Sequence, residues 1–171
     1  MNQKLKDIIE NYQHILKINE QNFSGESIFD KNLNSSSFTK LSLDNCTFHK
    51  INFGGSSFWK CEFKECTFTH TRFKKTEFES CIFKNCTIID SNLDKIDFDE
   101  TSFNRCQFKK ISLVAGSFNC CEFIESDFED ISSYASVPVD SKFYKFNRCI
   151  DLKGDFSFEH ILKVLKSIPP T

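Results

Sequence analysis

One Met, one Trp, three Pro and five Gly in 171 residues leave little room for several common designs. Such a skewed composition points to one structural slot filled over and over by one residue type, and no Gly-rich phosphate loop is present. No apolar run approaches the ~18 to 20 residues needed to span a bilayer, and MNQKLKDIIENYQHILKINE has no apolar core of signal-peptide type. The expectation is therefore a cytoplasmic protein without a membrane segment. The chain also lacks a dominant charge: 22 Lys and Arg stand against 24 Asp and Glu, for a net charge of -2. That balance argues against direct nucleic-acid binding through a broad basic surface. A disulfide framework is equally unexpected, because the nine Cys are odd in number and no secretion signal precedes them.

What is abundant is Phe, with 21 copies. In KCEFKECTFTHTRFKKTEFESCIFKNC, Lys60 to Cys86, a Phe returns every five residues with a small residue two places before it. A helix repeats apolar positions every 3.6 residues and a strand every 2, so neither explains this spacing. Stepping by five from Phe23 through Phe48, Phe73 and Phe98 to Phe128 gives 22 stations, none of them polar. From Ser36 onward the slot two before each station holds Ser, Thr, Cys, Gly, Leu or Ile, while the remaining positions are mostly polar or charged.

A small residue, a polar one, Leu or Phe, and two variable residues form the pattern of the pentapeptide-repeat family, which this chain resembles without a break in register over residues 21–130. The resemblance implies an all-β solenoid: a right-handed, four-sided parallel β-helix with one pentapeptide per side and twenty residues per coil. A unit too short to bury its own apolar side chain gains a core by stacking on copies of itself. Phe fills the interior, so a polar substitution at Phe83 is expected to disrupt the rod.

The open ends of such a rod need covering. Leu5, Ile8, Ile9, Tyr12, Ile15 and Leu16 fall at helical spacing, which assigns residues 1–20 to an N-terminal capping helix, with Phe29 packed beneath it. Residues 21–130 form the regular repeat. Residues 131–153 form an irregular final coil, since Ser133 and Pro138 stand where apolar centres are due, although Phe143 is back in register. Residues 154–171 read as a C-terminal helix and tail, with Asp155 or Ser157 as N-cap, an apolar face of Phe158, Ile161, Leu162 and Leu165, and a stop at Pro170. The whole is one domain. The resemblance implies either a monomer or a homodimer joined through that C-terminal face.

Folding the chain into columns of residues twenty apart shows what the outside carries. Cys46, Cys66, Cys86 and Cys106 share one column, and Cys61 and Cys81 another; parallel side chains beside Phe columns read as small packing groups rather than a metal centre. Lys50, His70, Asp90, Lys110 and Asp130 form a ladder of mostly alternating charge, and His49 lies near His70 without a third ligand. Glu77, Glu79, Asp97, Asp99 and Glu100 gather on one side near Trp59, with Arg72, Lys74, Lys75 and Lys95 around the corner. The simplest arrangement there is a salt-bridged corner. The other reading is a partner surface, because an exposed aromatic beside charge suits an interface.

No nucleophile with its base, metal spacing or cofactor motif is found, so neither catalysis nor a cofactor is expected. The function expected is a rigid binding module for a protein partner. The narrower alternative, drawn from the family, is a DNA-mimicking protein that binds a type II topoisomerase such as gyrase and confers quinolone or toxin resistance. The near-balanced charge and the uninterrupted coils depart from that picture.

Overall fold

The computed structural model describes residues 4–12, 15–134, 136–139, 142–144, 149–150 and 153–154. Strands of three residues recur every five, and each pairs in parallel with the strand twenty residues on. The chain thus winds as a parallel β-solenoid. Side 1 stacks Lys17–Asn19, Ser37–Thr39, Ser57–Trp59, Glu77–Glu79, Asp97–Asp99, Ser117–Asn119 and Val137–Val139. Side 2 stacks the strands from Asn22–Ser24 to Lys142–Tyr144, and side 3 those from Ser27–Phe29 to Cys149–Ile150.

The fourth side is held more lightly at first. Asn32, Asn52 and Arg72 pair only through isolated bridges, the last of them reaching Asn92. Its corner to side 1 is a tight turn, with Thr76 N–H donating to Phe73 O at 3.0 Å and Ile96 N–H to Leu93 O at 3.2 Å. Positive φ at the third residue, Lys75 and Lys95, marks a type II turn. From Thr87–Asn92 onward the strands of side 3 run through their corner onto side 4, as in Gln107–Val114 and Asp127–Tyr134.

Every corner uses the left-handed backbone region. The residue two after each centre has φ near +50°, from Glu20 and Lys40 to Asp130, and only two of these are Gly. L-residues enter this region at a cost of roughly 1 kcal/mol or more each. What offsets it is the turn of the N–H toward the next coil: Lys40 N–H donates to Trp59 O and Asn45 N–H to Lys64 O, both at 2.8 Å.

Inside, the Phe centres form columns. Phe83 stacks on Phe63 at 4.5 Å between ring centroids and on Phe103 at 4.9 Å, with an edge-to-face contact to Phe78 at 5.5 Å. All are buried. Offset stacks and edge contacts satisfy the ring quadrupole along and across the rod.

The slot two before each centre does more than fill space. Cys81 Sγ donates to Phe58 O and accepts from Cys61 N–H, both at 3.4 Å. Ser56 Oγ donates to Leu33 O at 2.8 Å and accepts from Ser36 N–H at 3.0 Å. A hydroxyl or thiol here hydrogen-bonds backbone groups of the neighbouring coil. The sequence suggested small packing groups; these side chains also carry hydrogen bonds.

The N-terminal part differs from the expected 1–20 helix. The helix occupies Leu5–Asn11 and plugs the rod with Leu5 and Ile9, while Lys17–Asn19 is already the first strand of side 1. Ile18 is buried as an interior centre, and Ile15 is 58% exposed. Phe29 was expected beneath the helix but is 53% exposed, bordering an open groove with Lys6, Ile9 and Glu10 and meeting His49 at 6.2 Å. At the other end Phe118 faces Pro138 and Phe123 faces Phe143, so sides 1 and 2 keep register. On side 3 the pairing moves to Phe128 with Cys149, a step of 21 residues. The expected C-terminal helix, with Phe158, Ile161, Leu162 and Leu165, lies outside the described residues.

Candidate functional site

Side 1 brings the candidate residues together. Glu79 lies between Trp59 and Asp99 in strand register, and Glu77 between Ser57 and Asp97. Outward positions on one strand alternate with the buried Phe78 and Phe98, so these side chains all leave the rod on the same face. Glu100 follows at the corner toward side 2, where it accepts from Ser80 Oγ at 3.1 Å. Asn119 Nδ2 donates to Asp99 Oδ1 at 2.6 Å.

Trp59 is 36% exposed, and Lys60 Nζ sits 4.4 Å from its ring centroid. The indole thus already holds one cation over its face.

The salt-bridged corner does not form. Among the described residues no ion pair within 4.0 Å includes Glu77, Glu79, Asp97, Asp99 or Glu100, nor Arg72, Lys74, Lys75 or Lys95. Side chains leaving two sides of a square corner diverge, so neighbours in sequence do not meet in space. Elsewhere opposite charges on adjacent coils do meet: Lys40 with Glu20 at 2.6 Å, Lys84 with Glu62 at 2.8 Å, Arg105 with Glu125 at 2.7 Å and Lys109 with Glu129 at 2.8 Å. Lys110 and Asp90 of the expected ladder stand at 3.9 Å, and Lys50 of that ladder stands at the same distance from Asp30 one coil before it.

Asp94, not singled out in the sequence, organises side 4. Partial burial opposes its ionisation, yet hydrogen bonds from Ser112, Val114 N–H and Asn92, with Lys74 nearby, hold its carboxyl below the ordinary value. The signal for it was an Asn two residues before an Asp, which closes a local turn.

The cysteine columns give no metal centre: among the described residues no group of three or more His, Cys, Asp or Glu is placed to hold an ion. Burial pushes the Cys121 thiol up to about 12, and a hydrogen bond with Cys106 together with burial does the same for Cys86. Cys120 is exposed, whereas Cys46, Cys61, Cys66, Cys81, Cys86, Cys106 and Cys121 are buried. His49 and His70 meet edge to face at 5.3 Å, and His49 Nδ1 bonds Thr69 Oγ1 at 2.8 Å.

No helix among the described residues is long and apolar enough to cross a membrane. Residues 63–107 match the family model for pentapeptide repeats, in nine copies. No curated protein matches the chain. Among solved structures, HetL, a pentapeptide repeat protein involved in heterocyst differentiation regulation from the cyanobacterium Nostoc sp. strain PCC 7120, superposes with a TM-score of 0.63 at 14% identity, over 90% of this chain and 78% of that one. Full-length QnrB1, a plasmid-mediated fluoroquinolone resistance protein, gives 0.39 at 16% identity, over 89% of this chain and 100% of that one. The likeness to HetL is one of fold.

Proposed function

We propose that this chain, a member of the pentapeptide-repeat family by its repeat and its coil, is a non-catalytic binding module that offers side 1 to a protein partner in the cytoplasm. One observation carries the reading. Glu77 lies opposite Asp97 and Glu79 opposite Asp99, like charge on like and without an ion pair among the described residues, whereas Lys64 and Lys84, also opposed in register, are each met by a carboxylate, Asp44 and Glu62. Like charges directly opposed on neighbouring strands cost stability. A face that keeps that cost beside an exposed Trp is suited to a partner that relieves it. Glu77, Glu79, Asp97, Asp99, Glu100 and Trp59 are the contact residues, and the surface they offer fits a basic segment.

Replacing Trp59 by a photo-crosslinking amino acid, with Thr67 on side 3 as control, tests this in host extract. A discrete adduct from position 59 alone is the expected result; no adduct, or the same adduct from both positions, overturns it. The narrower topoisomerase reading gains little from the surface. The carboxylates occupy two coils, with Ser57 and Trp59 below and Ser117 and Asn119 above, instead of running along the rod. A gyrase supercoiling assay with and without a quinolone separates the two readings.

A further inference from the structure

Away from side 1, two imidazoles on successive coils meet where side 3 turns toward side 4. His49 lies in strand register between Phe29 on the coil before and Thr69 on the coil after, and His70 follows Thr69 at the corner. The two rings stand edge to face with centroids 5.3 Å apart. His49 Nδ1 is hydrogen-bonded to Thr69 Oγ1 at 2.8 Å, while Phe29 lies 6.2 Å away on the other flank of the ring. With Nδ1–H as the donor to that hydroxyl, the neutral ring keeps its lone pair at Nε2, which is how a metal-ligating His is ordinarily held. His70 is exposed, and among the described residues no ion pair within 4.0 Å includes either ring.

We propose that His49 and His70 together bind one transition-metal dication of the kind that takes imidazole, such as Zn²⁺, Ni²⁺ or Cu²⁺, and that the ion clips two successive coils to each other. The spacing fits. Imidazole nitrogens bind Zn²⁺ at about 2.0 to 2.1 Å, which sets two ring centroids on one tetrahedral ion roughly 5 Å apart, against the 5.3 Å found. His49 already has the outer hydrogen bond that orients a ligating ring, and the exposed His70 is free to turn toward the ion. The donor set selects the metal. Among the described residues no group of three or more His, Cys, Asp or Glu is placed to hold an ion, so the pair supplies two nitrogens and no carboxylate. That disfavours Ca²⁺ and Mg²⁺, which need oxygen ligands, and leaves coordination positions for water. Flanking charges nearly cancel, because Lys50 and Asp90, before and after His70 in its column, face Asp30 and Lys110 at 3.9 Å. The rod holds the second imidazole in place beforehand, so it acts at high effective concentration and the pair binds more tightly than either ring alone. The site is independent of the reading of side 1.

The probe is Ni²⁺ alone, titrated calorimetrically into the intact protein at neutral pH, with Zn²⁺ as a second ion and thermal melts in parallel. One ion per chain is expected, and H49Q and H70Q are each expected to weaken its binding at least about tenfold, as loss of the chelate requires. Neither ring is buried, so both variants keep the core intact. Saturating Ni²⁺ is expected to raise the melting midpoint of wild type, since the ion binds the folded rod, and to leave that of either variant unmoved. Absence of saturable binding of both ions up to millimolar concentration overturns the proposal. So does binding that survives in H49Q or in H70Q, which would place the ion on a single imidazole or on another ligand such as the exposed Cys120 thiol.

Discussion

Replacing Glu77 by Lys turns a repulsive cross-strand pair into an attractive one, and the structure fixes what that should be worth. Glu77 faces Asp97 on the next coil and the neutral Ser57 on the previous one, so a single charged neighbour decides the outcome. Like charges directly opposed cost roughly 0.2 to 1 kcal/mol and opposite charges gain a similar amount, so reversal spans roughly 0.5 to 2 kcal/mol. Both side chains are exposed, which places the expected gain near the lower end, about 1 kcal/mol. For a domain of this size that raises the midpoint of thermal unfolding by about 2 to 4 °C. The assay is a thermal melt of wild type, E77Q and E77K followed by circular dichroism. E77Q removes the repulsion alone and should fall between the other two. At about 1 M salt, where the Debye length is ~3 Å, the differences should largely vanish. An E77K protein that melts at or below wild type refutes the reasoning, as does a gain that survives high salt. The same variant should lose affinity for a Lys-rich peptide, so the stabilised rod is expected to be the poorer binder.

Four further outcomes follow from the interior and the corners. Cys81→Ala leaves Phe58 O and Cys61 N–H without their side-chain partner and should cost about 1 to 3 kcal/mol in urea unfolding, while Cys81→Ser keeps both bonds and should cost clearly less. Gly25 has φ +67 with nothing within 4 Å of an added Cβ, so Gly25→Ala should lose about 1 kcal/mol through the backbone alone. Ala115, at φ 54, should gain from Gly for the same reason. Cys86 and Cys121 are raised from 9.0 to about 12, so the stability they contribute is complete below pH 9 and is lost as pH rises toward 12, because the unfolded chain gives up those protons first. Each thiol adds up to about 1.4 kcal/mol per pH unit to that decline. C86S with C121S should flatten the alkaline limb of stability against pH.

The interior was legible in the sequence because one residue type repeats there in one slot. Every step from Phe23 to Phe128 reads as a buried centre, and the twenty-residue columns place Trp59, Glu79 and Asp99 side by side as the strand register does. The first coil was not legible. Leu16 and Ile18 fall at spacings that suit both a helix and a pentapeptide, and too few residues precede Phe23 to separate the two periods; the exposed Ile15 shows which one holds. The hydrogen-bonding role of the small slot was hidden for another reason. Size and hydrogen-bonding capacity coincide in Ser, Thr and Cys, and only the geometry around Cys81 and Ser56 separates them. The unpaired corner was misjudged because proximity in sequence suggested salt bridges, whereas a square corner sends adjacent outward side chains apart.

Position within the pentapeptide divides structural work from function. The centre and the slot two before it are committed to the core, and the residue two after the centre is held at positive φ by its bond to the next coil. The outward positions on either side of each centre, with the corner side chains, are left to vary, and what they settle into without other demands is opposite charge over opposite charge, as in Lys84 over Glu62 and Arg105 under Glu125. The rod is stabilised from within by Phe columns such as Phe63, Phe83, Phe103 and Phe123, so a few exposed repulsions do not threaten it. A departure from the paired arrangement therefore costs little and persists only where something other than stability holds it. Lys64 and Lys84 also oppose each other, but each is met by a carboxylate, Asp44 and Glu62, whereas Glu77 and Glu79 oppose Asp97 and Asp99 without an ion pair among the described residues while Lys75 and Lys95 stack beside them. Surface charge that breaks the rule of its own fold locates the site on a rod whose shape alone would not.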